Sequence, residues 1–260
     1  MYFAFSDVHG HSELMKNRIE QILPYLKEGD SRLIMLGDYI DRGRESFNCL
    51  KMAYDLQKEF GEEKVVVLKG NHEEWFREFL FEDEDLWLAE DKDFSTTRTF
   101  LTELQRKELK EIDIYNEKIL FVKKCILENH KELLDWMKNL KAFYETEAQI
   151  FVHAGVDEDI PKEEAAWCTW ATPEYMLLGK YPPTTGRFYK DVIAGHVAAS
   201  SVAGDCSFEE IYFDGKSHFY IDGSTTRTRR VLCLAYDEKK KQYYEFTENG
   251  EFKEIQRWKN

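Results

Sequence analysis

Three short apolar runs, Tyr2 to Phe5, Arg32 to Leu36 and Lys64 to Lys69, each break into a polar, glycine-bearing turn, and amphipathic stretches from Glu13 to Leu26 and from Ser46 to Phe60 separate them. β-Branched or aromatic runs alternating with helical periodicity predict a β-α-β-α-β unit with parallel strands. Such strands deliver their carboxyl ends to one edge, where ligands collect. The chemistry is therefore expected in Ser6 to His11, Gly37 to Gly43 and Gly70 to Glu73.

Each of these turns carries an oxygen or imidazole donor. Asp7 and His9 follow the first run, Asp38 and Asp41 the second, and Asn71 and His72 the third. Asp7 and Asp38 are 31 positions apart, Asp38 and Asn71 33, a repeat that suits successive strands of one sheet. Two later apolar runs end in His153-Ala154-Gly155 and Gly195-His196, placing two more imidazoles beside glycines that allow close approach. Together these residues make a donor set sufficient for two cations, with Asp38 as the natural bridge. Carboxylate, imidazole and amide donors without thiolate suit manganese, iron or zinc better than calcium or magnesium.

Composition narrows the function classes. The 260 residues hold 36 Lys and Arg against 50 Asp and Glu, a net charge of −14, which repels a phosphate backbone and argues against nucleic-acid binding. An anionic substrate would then need positive charge from a bound cation or a few placed arginines. Five scattered cysteines without a Cys-x-x-Cys pair argue against a disulfide framework or thiolate zinc site and for a reducing, cytoplasmic setting. No apolar run approaches the ~18 residues needed to span a membrane, and no basic leader precedes Tyr2.

From about Glu74 to Tyr144 the chain turns charged, leucine-bearing and free of glycine, with helical spacing from Asn116 to Leu140. This stretch reads as a helical insertion, a solvated bundle packed beside the core rather than a lid, and Glu82 to Asp85 reads as a solvated acidic loop. Beyond it, Gln149 to Val152, Val192 to Ala194, Glu210 to Phe213, His218 to Ile221, Arg230 to Tyr236 and Gln242 to Phe246 read as strands of a second, largely antiparallel sheet. His11 is read as a helix-start residue, and His130 and His218 as packing or surface residues. Trp167 and Trp170 are expected to line a pocket or fill core, and Cys168 to be unreactive.

The runs Asp7-Val8-His9-Gly10, Gly37-Asp38-Tyr39-Ile40-Asp41-Arg42-Gly43, Gly70-Asn71-His72-Glu73, Val152-His153-Ala154-Gly155 and Gly195-His196 together resemble the calcineurin-like metallophosphoesterases. Within that family the likeness is to the protein serine/threonine phosphatase type, which includes bacterial and phage members and the symmetrical dinucleoside tetraphosphatases. The resemblance implies a single α/β domain over residues 1–260, two facing mixed sheets flanked by helices, with the insertion inside it. It further implies that Asp7 and His9 bind one metal, that Asp38 bridges, and that Asn71, His153 and His196 bind the second. His72 would protonate the leaving group, Asp41 would hold the other ring nitrogen of His72, and Arg42 would grip the phosphate.

The sequence departs from these relatives in two places. A second phosphate-binding arginine usually follows a tryptophan ahead of the last metal histidine, but Trp167-Cys168-Thr169-Trp170-Ala171 offers none. Arg187 is the best substitute, with Arg44, Arg227 or Arg229 as alternatives. The Gly-His-x-His pair of the wider family is also absent, which points to the phosphatase and tetraphosphatase branch. The expected activity is hydrolysis of a phosphorylated substrate, a phosphoprotein or small phosphoester, with two divalent metals and no membrane partner. The alternatives are dinucleoside polyphosphate cleavage, for which Asp93 to Leu101 faintly resembles a Gly-Gly-x-x-Thr-Leu segment, and a noncatalytic metal-stabilised scaffold. The scaffold would have little use for His72, Asp41 and Arg42.

Overall fold

The computed structural model describes residues 1–82, 84–159 and 167–256. It opens with the expected unit: strand β1 (Tyr2–Phe5), helix α1 (Ser12–Glu28), β2 (Arg32–Met35), α2 (Ser46–Phe60) and β3 (Val65–Val67). The three strands run parallel, with Phe3 opposite Leu33 and Leu33 opposite Val65. Alternate side chains of a strand face opposite ways. Phe3, Phe5, Leu33, Met35, Val65 and Val67 accordingly pack against α1 and α2. Tyr2, Ala4, Ile34, Leu36, Val66 and Leu68 enter a second core between the sheets.

Helix α3 (Asn71–Phe81) leads into two single 3-10 turns, Leu86–Ala89 and Thr97–Phe100, then α4 (Glu103–Glu111), α5 (Tyr115–Asn129) and α6 (Lys131–Lys138). Thr102 starts α4 with a reciprocal cap: Gln105 N donates to its Oγ1, and its own N donates to Gln105 Oε1. The run from Asn116 to Leu140 is two helices rather than one, because His130 leaves helical backbone and its ring bonds Phe100 O at 2.7 Å. The insertion is also not a bundle beside the core. Trp87, Phe100, Val122, Ile126 and Leu134 are buried in the same apolar cluster as Phe3 and Phe5. Truncating one such aromatic costs about 3–5 kcal/mol, so the insertion is integral to the fold. In the acidic loop Glu82 meets Arg77 and Asp85 meets Lys123, while Asp83 lies outside the described residues.

The second sheet contains β4 (Phe143–Glu145), β5 (Gln149–Val152), β6 (Asp191–Ala198), β7 (Tyr212–Phe213) and β8 (His218–Asp222), ordered β4-β5-β6-β8-β7. Its centre is parallel, since β5 pairs β6 and β6 pairs β8 in that sense, which overturns the expected antiparallel sheet. The late antiparallel strands β9 (Leu234–Asp237), β10 (Gln242–Phe246) and β11 (Phe252–Ile255) belong to the first sheet instead. After β8 the chain crosses to the free edge of β1, where Leu234 sits opposite Ala4. Both sheets are therefore mixed. Their facing sides meet through Phe151, Ile193, Phe219 and Ile221, and the parallel centres aim β1, β2, β3, β5 and β6 at one edge. Among the described residues no helix is long and apolar enough to cross a membrane.

Candidate active site

The loops after β1 and β2 are locked together: Asp7 N donates to Gly37 O at 3.1 Å, His9 N to Asp38 O at 2.9 Å and Gly10 N to Tyr39 O at 2.7 Å. Glu73, fully buried in the first turn of α3, organises them from below. Its carboxylate accepts from the backbone N of Asp38 and Tyr39 at 2.8 Å each and from Gly70 N at 2.9 Å. Burial, with the neighbouring Asp38 charge, pushes Glu73 up to about 7. Non-glycine residues with positive φ are uncommon because Cβ crowds the backbone. Ten occur among the described residues, and six of them are Asp7, His9, Asp38, Asp41, Arg42 and His196. Strain concentrated in this way is a mark of a functional site. A Cβ on Gly70 would lie 2.1 Å from Asp38 Oδ1, and one on Gly195 2.3 Å from Asp7 Oδ2, so glycine is required at both.

Two donor groups share Asp38: His9 and His72 on one side, His153 and His196 on the other. His9 Nδ1 donates to Ile40 O and His153 Nδ1 to Leu36 O, both at 2.9 Å, which turns the Nε2 lone pair of each ring inward. His9 Nε2 then lies 3.6 Å from Asp38 Oδ2 and 3.8 Å from Asp7 Oδ1. His153 Nε2 lies 3.0 Å from Asn71 Oδ1 and 3.4 Å from Asp38 Oδ2. Three acceptors facing one another need a proton or a cation between them. Burial opposes charge on His153, but Asp38 outweighs it and raises the ring to about 10. Burial and then His153 lower His196 to about 4. Asp38 is held well below the usual carboxylate range because His153 and His72 outweigh its burial. The six expected ligand residues thus converge, and their chemistry fits two cations.

His72 stands beside this cluster. Its Nδ1 bonds Asp41 Oδ2 at 2.6 Å, and Arg42 spans the two rings, with Nη1 2.9 Å from His9 Nε2 and Nη2 3.3 Å from His72 Nε2. Burial and Arg42 oppose a charged His72, but Asp38 and Asp41 outweigh them and raise it to about 9. Asp41 is itself enclosed by the insertion. Trp87 Nε1 donates to its Oδ2 at 2.8 Å and Thr96 Oγ1 to its Oδ1 at 2.7 Å. Buried Asp91 holds the Thr96 turn through Thr96 N at 2.6 Å and Thr97 N at 3.0 Å.

A cleft of about 490 Å³ opens over His9, Arg42 and His196, walled by Tyr181, Ser201, Asp222 and the Ser224-to-Arg227 turn. Arg187 is not among the residues lining it. Its loop is tied instead to the β7–β8 turn and to β8 itself: Gly186 N donates to Asp214 Oδ2 at 2.7 Å, Phe188 N to Ser217 Oγ at 3.1 Å and Tyr220 OH, within β8, to Thr184 O at 2.6 Å. Trp167 and Trp170 fill no core, being 68% and 73% exposed, though Trp170 meets Phe143 edge-on. Cys168 is buried. His11 precedes α1 and bonds Thr226 and Arg229, while His218 is buried between Glu158 and Asp214.

Sequence reasoning assigned no role to Trp87 or Asp222, nor to Glu73 and Thr96 individually, although Glu73 lies in the Gly70-to-Glu73 turn and Thr96 in the Asp93-to-Leu101 segment. Asp222 was findable, since it ends a strand at the ligand edge as Asp7 and Asp38 do. Trp87 carried no local signal.

The family model for calcineurin-like phosphoesterases matches residues 2–198. Serine/threonine-protein phosphatase 2 of Escherichia coli (strain K12) is 32% identical over 93 residues, a match spanning 35% of this chain and 38% of that protein's length. Among solved structures, a cold-active protein tyrosine phosphatase superposes with a TM-score of 0.61 at 14% identity, covering 98% of this chain and 78% of its own. A protein assigned as a diadenosine tetraphosphatase superposes at 0.51 and 12% identity, covering 100% and 94%. At such identities these two likenesses speak for the fold alone. The family match covers most of the chain and contains all six converging donors, and the chain belongs to the calcineurin-like phosphoesterase family.

Proposed function

We propose that the chain is a dinuclear metal-dependent phosphohydrolase acting on phosphomonoesters, with phosphoserine or phosphothreonine side chains as the favoured class. The observation that carries this reading is the inward meeting of His153 Nε2, Asn71 Oδ1 and Asp38 Oδ2, whose mutual repulsion a cation relieves. Asp7, His9 and Asp38 would hold one ion and Asp38, Asn71, His153 and His196 the other, with manganese favoured over iron or zinc. His72 is in the first donor group by distance, but its Nδ1 is committed to Asp41 and its ring is raised toward the charged form, so it serves as acid rather than ligand.

When bound, the two ions supply Lewis acidity to phosphoryl oxygens and lower the pKa of an attacking water. The chain's own residues complete the reaction. Arg42 offers a planar fork to two nonbridging oxygens. His72 gives its Nε2 proton to the departing alkoxide, and Asp41 stabilises the charged ring beforehand and fixes its orientation. The 2.6 Å contact between His72 and Asp41 supports these roles.

The shared apolar cluster supports reading the whole chain as one domain, and five unpaired cysteines support a cytoplasmic setting. Dinucleoside polyphosphate cleavage is the second reading, because Thr96 of the Asp93-to-Leu101 segment does reach the site through Asp41. Purified manganese-loaded protein, assayed on p-nitrophenyl phosphate, phosphoserine and phosphothreonine peptides and diadenosine tetraphosphate, separates these readings. Turnover of the aryl ester and the peptides is expected. Preference for the tetraphosphate would select the second reading, and no turnover of any substrate would overturn both.

A further inference from the structure

We infer that Arg227 is this chain's second phosphate-gripping arginine, closing on the phosphoryl group from the cleft wall opposite the β2 loop that carries Arg42. The inference rests on the phosphohydrolase reading above. Arg42 and Arg227 line the same cleft of about 490 Å³, together with His9 and His196. Among the described residues the Arg227 side chain has no carboxylate within ion-pairing distance and no hydrogen-bond partner. In a chain of net charge −14, an arginine left without a countercharge beside a candidate anion site is informative. The acid in the cleft, Asp222, is already committed, accepting from Ser224 N at 2.7 Å.

The turn bearing Arg227 is built to hold its position. Thr225–Thr228 is one helical turn between Ser224 and Arg229, both left-handed with φ of 53° and 60°. Thr225 Oγ1 donates to Arg230 O at 3.0 Å, and Thr228 Oγ1 to Gly223 O at 2.8 Å. His11 clamps the turn to the β1 loop, its Nε2 3.3 Å from Thr226 Oγ1 and its Nδ1 accepting from Arg229 Nη1 at 2.6 Å. The bonds that fix the turn use its hydroxyls and Arg229, leaving the Arg227 guanidinium available.

The other arginines are excluded by position. Arg229 is spent on His11, and Arg187 sits on the loop tied to the β7–β8 turn. Arg44 opens into a different pocket with Arg98 and Arg106.

Inorganic phosphate binding to the manganese-loaded protein, measured by calorimetry, tests the assignment. Arg227→Ala should weaken it roughly 10- to 100-fold, the usual worth of a charged hydrogen bond. Arg227→Lys should restore only part, because an ammonium lacks the guanidinium fork. Arg187→Ala should bind within about twofold of wild type. Metal content and melting temperature of each variant guard against misfolding. An Arg227→Ala protein that keeps its metals and binds phosphate as wild type does would overturn the inference. Failure of the parent reading looks different: wild type itself would neither bind phosphate nor hydrolyse p-nitrophenyl phosphate.

Discussion

The two flanks of the Asp38 cluster are built on opposite terms. On the insertion side, Asp41, Trp87, Thr96 and Asp91 are each at most 1% exposed and joined by hydrogen bonds of 2.6 to 2.8 Å. On the cleft side, Arg42 and Arg227 stand in solvent and Tyr181 is 78% exposed. A proton donor must be held in one geometry and one charge state before substrate arrives, and a low-dielectric, fully satisfied network does that. A phosphate-binding wall must admit a hydrated anion and can order itself around it. On the proposed reading, the insertion would contribute to chemistry by holding Asp41, whereas the cleft loops would contribute by contact.

Breaking the closed flank at its centre should have the largest kinetic effect. His72→Asn should retain both metals yet lower kcat by roughly 10²- to 10⁴-fold on alkyl phosphates, with a smaller loss on aryl esters of acidic phenols. A loss equal across leaving groups would contradict the role of His72 as acid. Further out, Thr96→Val and Trp87→Phe each remove one donor from Asp41 and should cost about tenfold, again mainly on poor leaving groups. Thr96→Ser, which keeps the hydroxyl, should recover most of the rate. If both variants match wild type on alkyl phosphates, the insertion is packing only.

Away from both flanks, buried His218 at the start of β8 should make stability depend on pH. Burial opposes charge on His218, but Glu158 and Asp214 outweigh it and raise its pKa above 6.5. A raised folded value means the stabilisation is fully present below the ordinary value near 6.5 and lost as pH rises through the higher one. The melting temperature of wild type should exceed that of His218→Asn at pH 6, and the gap should shrink as pH is raised above the ordinary histidine value near 6.5. A gap independent of pH would assign His218 to packing.

These contrasts mark what the sequence could disclose. Asp7, Asp38, Asn71, His153 and His196 were legible because each follows a strand whose parallel neighbours bring it to one edge. Ser46–Phe60 and Gln149–Val152 were legible to the residue, since helical and strand periodicity were unambiguous there. The membership of β9 and β10 was not, because an antiparallel strand reads the same whichever sheet it joins. Trp87 and Thr96 were hidden for a related reason: they lie 46 and 55 positions from Asp41, and no local pattern encodes a contact at that range. Arg187 was singled out for its nearness in sequence to His196, which says nothing about Asp214, Ser217 and Tyr220, the side chains that hold its loop.

On the proposed reading two cations share Asp38, and hydrolysis depends on both. Metal content per chain, measured by elemental analysis alongside turnover of p-nitrophenyl phosphate, tests it in wild type and Asp38→Asn. Wild type should bind two divalent ions, lose turnover on chelation and regain it with manganese, and Asp38→Asn should lose occupancy at both sites together. Full activity in a chelated preparation, or an Asp38→Asn protein that keeps two ions and the wild-type rate, would contradict the account.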